Sequence, residues 1–180
     1  MKKALVSFLF VLLAVSSLAA ADKADKQKTQ AIDTTKVDWL KYDEGLVKAK
    51  ETGRHIVIYF TTSWCGYCKK MQKETFSKPN VIKFLNDSLV CVKVDGDSKH
   101  ELNVDGYKIT ERNLSRSEFA VTGYPAFWFL KPDGERIGPA KGYKPTEAFL
   151  DITHYVKDSL YASVPFADYI NKGGYKAWKK

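Results

Sequence analysis

Along residues 37–160 the spacing of apolar positions changes several times, and each change marks an element. Tyr42, Leu46 and Ala49 recur every three or four residues, the spacing of one helix face, and Gly53 follows as a stop signal. The run Ile56-Val57-Ile58-Tyr59-Phe60 is β-branched and aromatic throughout, which predicts a buried strand. From Cys65 through Thr75 the pattern returns to a helix, with Met71 and Phe76 on its inner side. Pro79 opens a short helix over Val81, Ile82, Phe84 and Leu85. Leu89-Val90-Cys91-Val92-Lys93-Val94 and Ala126-Phe127-Trp128-Phe129-Leu130 read as two more strands. Lys131-Pro132-Asp133-Gly134 then turns the chain toward an edge strand at residues 135–137. Pro145 begins a last long helix whose Phe149, Ile152, Val156 and Leu160 form one stripe.

This order predicts an α/β sandwich around a central mixed sheet. Residues 96–120 are long for a connection and form an insert. Within it Asp105-Gly106 sits between Leu102-Asn103-Val104 and Tyr107-Lys108-Ile109, a hairpin signal, and residues 115–121 read as helical. Asp95, Asp97, Glu101 and Asp105 lie close together but lack the spacing of a calcium loop. The expected division is 1–21, 22–36, 37–161 and 162–180: leader, flexible linker, folded domain, and an aromatic and basic extension. Phe166, Tyr169, Tyr175 and Trp178 of that extension are expected to pack onto the domain.

The leader has a physical signature. Lys2 and Lys3 precede an apolar run over residues 4–18, and Ala19-Ala20-Ala21 supplies the small residues of a cleavage site. Cleavage is expected after Ala21, with Ala19 and Ala20 as alternatives. An uncleaved anchor is the competing reading, because the run is about the minimum length that crosses a bilayer. Either way the domain is expected outside the cytoplasm, in the periplasm.

Composition narrows the function classes. A hydrophobic fraction of 44% and an aromatic fraction of 13% exclude a disordered chain, and 180 residues suit a single domain. The net charge of +8 invites a nucleic-acid reading. The lysines are dispersed, however, and no nucleic-acid module accompanies them, so the charge reads as a solvated surface and no nucleic acid is expected as partner. Three cysteines are too few for a disulfide scaffold.

The spacing of those cysteines carries the chemistry. Cys65 and Cys68 open the helix three residues apart, so their sulfurs can bridge. Cys65 falls at the helix N-terminus, where unpaired N–H groups and the dipole favour a thiolate. A thiolate is the nucleophile of disulfide exchange, so Cys65 can attack and Cys68, a turn deeper, can resolve. Gly66 leaves the approach open. The pair has plainer readings. A zinc site needs two further ligands, and His55, His100 and His154 are scattered. A haem attachment needs a histidine where Lys69 stands. A structural disulfide is the third alternative. Cys91 reads as a small buried hydrophobe rather than a third redox thiol.

The run from Tyr59 to Met71, with Trp64-Cys65-Gly66-Tyr67-Cys68 at its centre, resembles the active-site strand and helix of thioredoxin-fold proteins. Gly123-Tyr124-Pro125-Ala126 resembles the loop that carries the family's cis-proline, and the turn and terminal helix follow in the family's order. The resemblance covers residues 39–160. Within the family the chain is similar to small exported bacterial proteins of the SoxW type, on the strength of the insert, Lys69-Lys70-Met71 and Gly142-Tyr143-Lys144-Pro145.

The resemblance implies a thioredoxin-like fold, a central mixed β-sheet flanked by helices with the insert before the cis-Pro strand. It implies an exported thiol:disulfide oxidoreductase with Cys65 and Cys68 as its redox-active pair. Trp64, Gly66, Tyr67, Tyr124 and Pro125 would bind substrate. No cofactor or metal is implied. Protein disulfides and dithiols would be the partners, with a membrane thiol reductant of the DsbD type as electron donor, and the chain would act as a monomer. Reduction is the expected direction, with a potential within about −180 to −270 mV. Oxidation or isomerisation is the runner-up, and a non-catalytic binding or chaperone module is the alternative of another class. Two positions depart from the family. Tyr59 stands where a buried acid is usual, six residues before Cys65, and Cys91 stands where its lysine partner is usual. A water, or Glu74 folded back, would have to handle the proton.

Overall fold

All six residues of β1 (Ile56–Thr61) are buried, and the rest of the fold is arranged around them. Side chains alternate across a strand, so β1 feeds two cores. Val57 and Tyr59 point into one with Cys91, Phe127 and Phe129, while Ile56, Ile58 and Phe60 point into the other with Val90, Val92 and Val94. Full burial of one such side chain is worth about 1.5–3 kcal/mol, so a polar substitution on either face of β1 is costly.

A computed structural model of the protein describes residues 35–178. The leader and all of the linker but its last two residues lie outside the described residues, as do the last two residues of the extension. The sheet runs β2-β1-β5-β6, with β2 (Val90–Asp95) parallel to β1, and β5 (Ala126–Leu130) and β6 (Arg136–Lys141) antiparallel additions. Leu40 extends the far edge through a single parallel bridge to Val92. One face is covered by α2 (Gly66–Glu74), α3 (Pro79–Ser88) and α5 (Thr146–Lys157). The other is covered by α1 (Tyr42–Thr52) and the insert. Gly53, left-handed at φ 66°, ends α1.

The insert is a hairpin of β3 (Glu101–Val104) and β4 (Tyr107–Thr110), turned at Asp105-Gly106. A short helix, α4 (Glu111–Asn113), runs from it into a π-type turn over Leu114–Glu118, so the helix expected at residues 115–121 is earlier and wider. β6 is longer than the three residues the turn suggested. The terminal stripe also differs. Ser159 adopts a left-handed conformation at φ 56°, α5 stops at Lys157, and Leu160 sits in a separate 3₁₀ turn. Leu150 and Thr153 are buried in α5 where Ile152 is only half-buried.

The extension forms α6 (Phe166–Asn171) and α7 (Gly174–Ala177), both on α5. Tyr169 is buried with its ring 5.3 Å from Tyr155, and Tyr175 stacks on His154 at 4.8 Å. The Asp151 carboxylate accepts the Tyr175 N–H at 2.9 Å. Among the described residues no helix is long and apolar enough to cross a membrane.

Candidate active site

Cys65 is the N-cap of α2, and its sulfur accepts the Cys68 N–H at 3.0 Å. No acidic residue occupies the first turn. The positive end of the helix is therefore answered by sulfur rather than by a carboxylate, which favours negative charge on Cys65. Cys65 and Cys68 are joined by a disulfide with their Cα atoms 5.2 Å apart. The open approach that Gly66 predicts does not expose Cys65 itself: only 4% of it is exposed, against 1% of Cys68, because it packs in the same core as Cys68, Met71 and Tyr59, with Tyr124 against that core. The flanking Trp64 and Tyr67 are open instead, at 66% and 62%. An added Cβ at Gly66 would meet nothing, so the approach between them is clear.

No carboxylate lies at position 59. The Tyr59 hydroxyl donates to the Cys68 carbonyl at 3.3 Å, and burial holds its phenol above the ordinary value. Glu74 does not fold back over the dithiol. Its carboxylate accepts the Tyr143 hydroxyl at 2.6 Å and lies 3.9 Å from the Lys70 ammonium. Tyr143 in turn lies 6.4 Å from Tyr67, so Glu74 organises the rim instead. Cys91 is free and buried on β2, where burial pushes its thiol up to about 12 and keeps it protonated and inert. No group of three His, Cys, Asp or Glu among the described residues is placed to hold a metal.

The Tyr124–Pro125 peptide is cis. Tyr124 stands edge-on to Trp64 at 6.0 Å, which brings the proline loop beside the residue preceding Cys65. Tyr124 is half-buried rather than part of an open rim, because the insert holds it. Its hydroxyl pairs with that of Ser115 at 3.0 Å, and it lies so near Gly96 that an added Cβ there would be 1.8 Å from the hydroxyl oxygen. The insert also holds Trp64, whose indole N–H donates to the Asp97 carboxylate. Arg116 reaches that carboxylate at 3.3 Å, and Arg112 donates to the Asp97 carbonyl at 3.2 Å. Sequence reasoning missed Asp97, Arg112, Ser115 and Arg116 as site residues. Asp97 stood out only in an acidic group without calcium spacing, and the other three had no signal beyond the length of the insert. Beyond Tyr124 and Pro125 opens a cleft of about 340 Å³, lined by Phe119, Val121, Trp128, Pro139 and Lys141 among others.

A mixed sheet delivering a dithiol to a helix N-terminus, beside a proline loop, is the frame of a thiol:disulfide oxidoreductase. A family model described as a thioredoxin-like domain matches residues 42–157, and the chain belongs to that family. It is 29% identical over 140 residues to the disulfide bond reductase DsbH of Chlamydia pneumoniae, covering 75% of this chain and 82% of that protein. It is 30% identical over 132 residues to the thioredoxin-related protein DsbJ of the same organism, covering 72% of this chain but 35% of DsbJ. Among solved structures, a thioredoxin from Thermus thermophilus superposes with a TM-score of 0.55 at 29% identity, covering 67% of this chain and 87% of that one. Neither of the two Chlamydia relatives bears the SoxW name, and they lend that subfamily no support.

Proposed function

We propose that the protein is exported and works in the periplasm as a reductase of protein disulfides, with Cys65 attacking and Cys68 resolving. The observation that carries this reading is the Cys65 sulfur at the α2 N-cap, hydrogen-bonded by the Cys68 N–H with no competing carboxylate in the first turn. In the reduced protein the Cys65 thiolate attacks one sulfur of a substrate disulfide. A mixed disulfide forms, and the other substrate sulfur leaves and takes up a proton. Cys68 then loses its proton and attacks the Cys65 sulfur, expelling the second substrate thiolate, which is protonated in turn. The substrate has gained two electrons and two protons, and the protein is left with the Cys65–Cys68 disulfide. A dithiol donor, of the membrane type that resembles DsbD, restores the reduced form. Trp64, Gly66 and Tyr67 border the opening, and Tyr124 and Pro125 offer backbone to an extended substrate segment. The direction draws support from the similarity to DsbH, a disulfide bond reductase, and export from the leader at residues 1–21. Cys68→Ser should trap mixed disulfides with substrates and Cys65→Ser should trap none. Insulin reduction with dithiothreitol should be lost in both. The reverse trapping pattern would overturn the assignment of the two thiols, and full activity of Cys65→Ser would overturn the function.

A further inference from the structure

We propose that the cleft lined by Tyr124 and Pro125 is a side-chain subsite selecting protein disulfides that carry an apolar residue next to an acidic one close to the half-cystine. This rests on the reductase reading above and adds the substrate class to it. Phe119, Val121, Trp128 and Pro139 make the lining apolar, and Lys141 is its one charged residue. The cleft is built in place: Trp128 donates its indole N–H to the Phe119 carbonyl at 3.2 Å and faces Pro139 across β5 and β6. Its volume of about 340 Å³ is at the low end for ligand pockets, enough for a side chain and small for a cofactor.

Two observations place Lys141 at the end of this cleft nearest the proline. Lys141 is in register with Ala126, and the N–H of Gly142 donates to the Pro125 carbonyl at 2.8 Å. Lys141 is exposed and makes no ion pair among the described residues. The carboxylates bordering the active-site opening are already engaged, Asp97 by Trp64 and Arg116 and Glu74 by Tyr143 and Lys70. Lys70 itself lies 4.7 Å over the Tyr143 ring, on the opposite lip. The surplus charge around the opening is thus positive, and its complement is an acidic segment. Distance sets how near that segment must be. Tyr124 stands 6.0 Å from Trp64, the neighbour of Cys65, and also lines the cleft. An extended chain advances about 3.3 Å per residue, so the residues that enter lie roughly two to four positions from the half-cystine.

The test uses the oxidised and reduced full-length mature chain with disulfide peptides flanked by Leu-Asp, Ser-Asp or Leu-Lys, and with hydroxyethyl disulfide, which has no flanks. Wild type should reduce the Leu-Asp peptide with kcat/KM roughly tenfold above the Ser-Asp peptide and roughly fivefold above the Leu-Lys peptide. Lys141→Glu should invert the second preference, Val121→Ser should flatten the first, and neither should change the rate with hydroxyethyl disulfide. Equal kcat/KM for all peptides, with hydroxyethyl disulfide still reduced, overturns the subsite alone. Failure to reduce any disulfide overturns the reductase reading and the subsite with it. A concentration-dependent dimer abolished by Lys141→Glu would assign the cleft to a second copy of the chain and also overturn the proposal.

Discussion

Gly96 is small because the Tyr124 hydroxyl occupies the space where a side chain would begin. Gly96→Ala puts a carbon 1.8 Å from that oxygen, and the aromatic ring, braced by Ser115 and Trp64, must give way. The expected result is a melting temperature lower by several degrees, with KM for protein disulfides raised more than kcat is lowered, since the thiols themselves are untouched. Ser115→Ala removes one hydrogen bond, worth about 1 kcal/mol, and should show the same effects at smaller size. Thermal unfolding and insulin-reduction kinetics of the two variants check this, and a Gly96→Ala protein as stable as wild type would refute it. At this scale the sequence was legible only locally. Cys65 and Cys68 were found because three-residue spacing on a helix has direct chemical meaning. Asp97 and Trp64 lie 33 positions apart, and nothing in a single chain pairs such residues before it folds. The enclosure of Cys65 was invisible for the same reason, being supplied by groups distant in sequence.

Among the elements, α5 departs most from its pattern. A helical period finds one apolar stripe, yet α5 is covered on two sides, by the sheet and by the extension. Asp151, His154 and Tyr155 serve the second side and are polar or aromatic, so they read as surface. β1, β2 and β5 were plain because buried strands are nearly continuous apolar runs. The extension's hold on α5 depends on pH. His154 lies between Phe84 at 3.9 Å and Tyr175 at 4.8 Å, stacked on both rings. Burial holds its imidazole below the ordinary value; Lys157 adds to this, and Asp158 and Asp151 oppose it. A depressed imidazole favours the neutral ring in the fold. Its stabilising contribution is therefore present above the unfolded value of about 6.5 and is lost as the pH falls through the lower folded value. Amide hydrogens of α7 should exchange faster at pH 5 than at pH 7.5, after correction for intrinsic rates, and His154→Phe should remove the difference. Equal protection of α7 at both values in wild type would exclude the effect.

For the molecule as a whole, the hydrophobic pattern was sufficient to place the sheet, its helices and the dithiol, while the insert could be read as surplus length carrying a hairpin at Asp105-Gly106 but not for what it holds. Its folded role is to brace Trp64 through Asp97 and Tyr124 through Ser115, so the insert supplies part of the site's wall. The near-complete enclosure of Cys65 then has a kinetic consequence. With 4% of that residue exposed, the protein being reduced and the donor that recharges the dithiol must both reach the same small patch of it. The two visitors cannot occupy it together, so the protein works as a turnstile: electrons come in with one and go out with the other. Initial rates measured against both reactants should give parallel double-reciprocal lines, and an excess of either should slow the other by occupying the entrance. Intersecting lines would mean that donor and acceptor are bound at once, through a second opening.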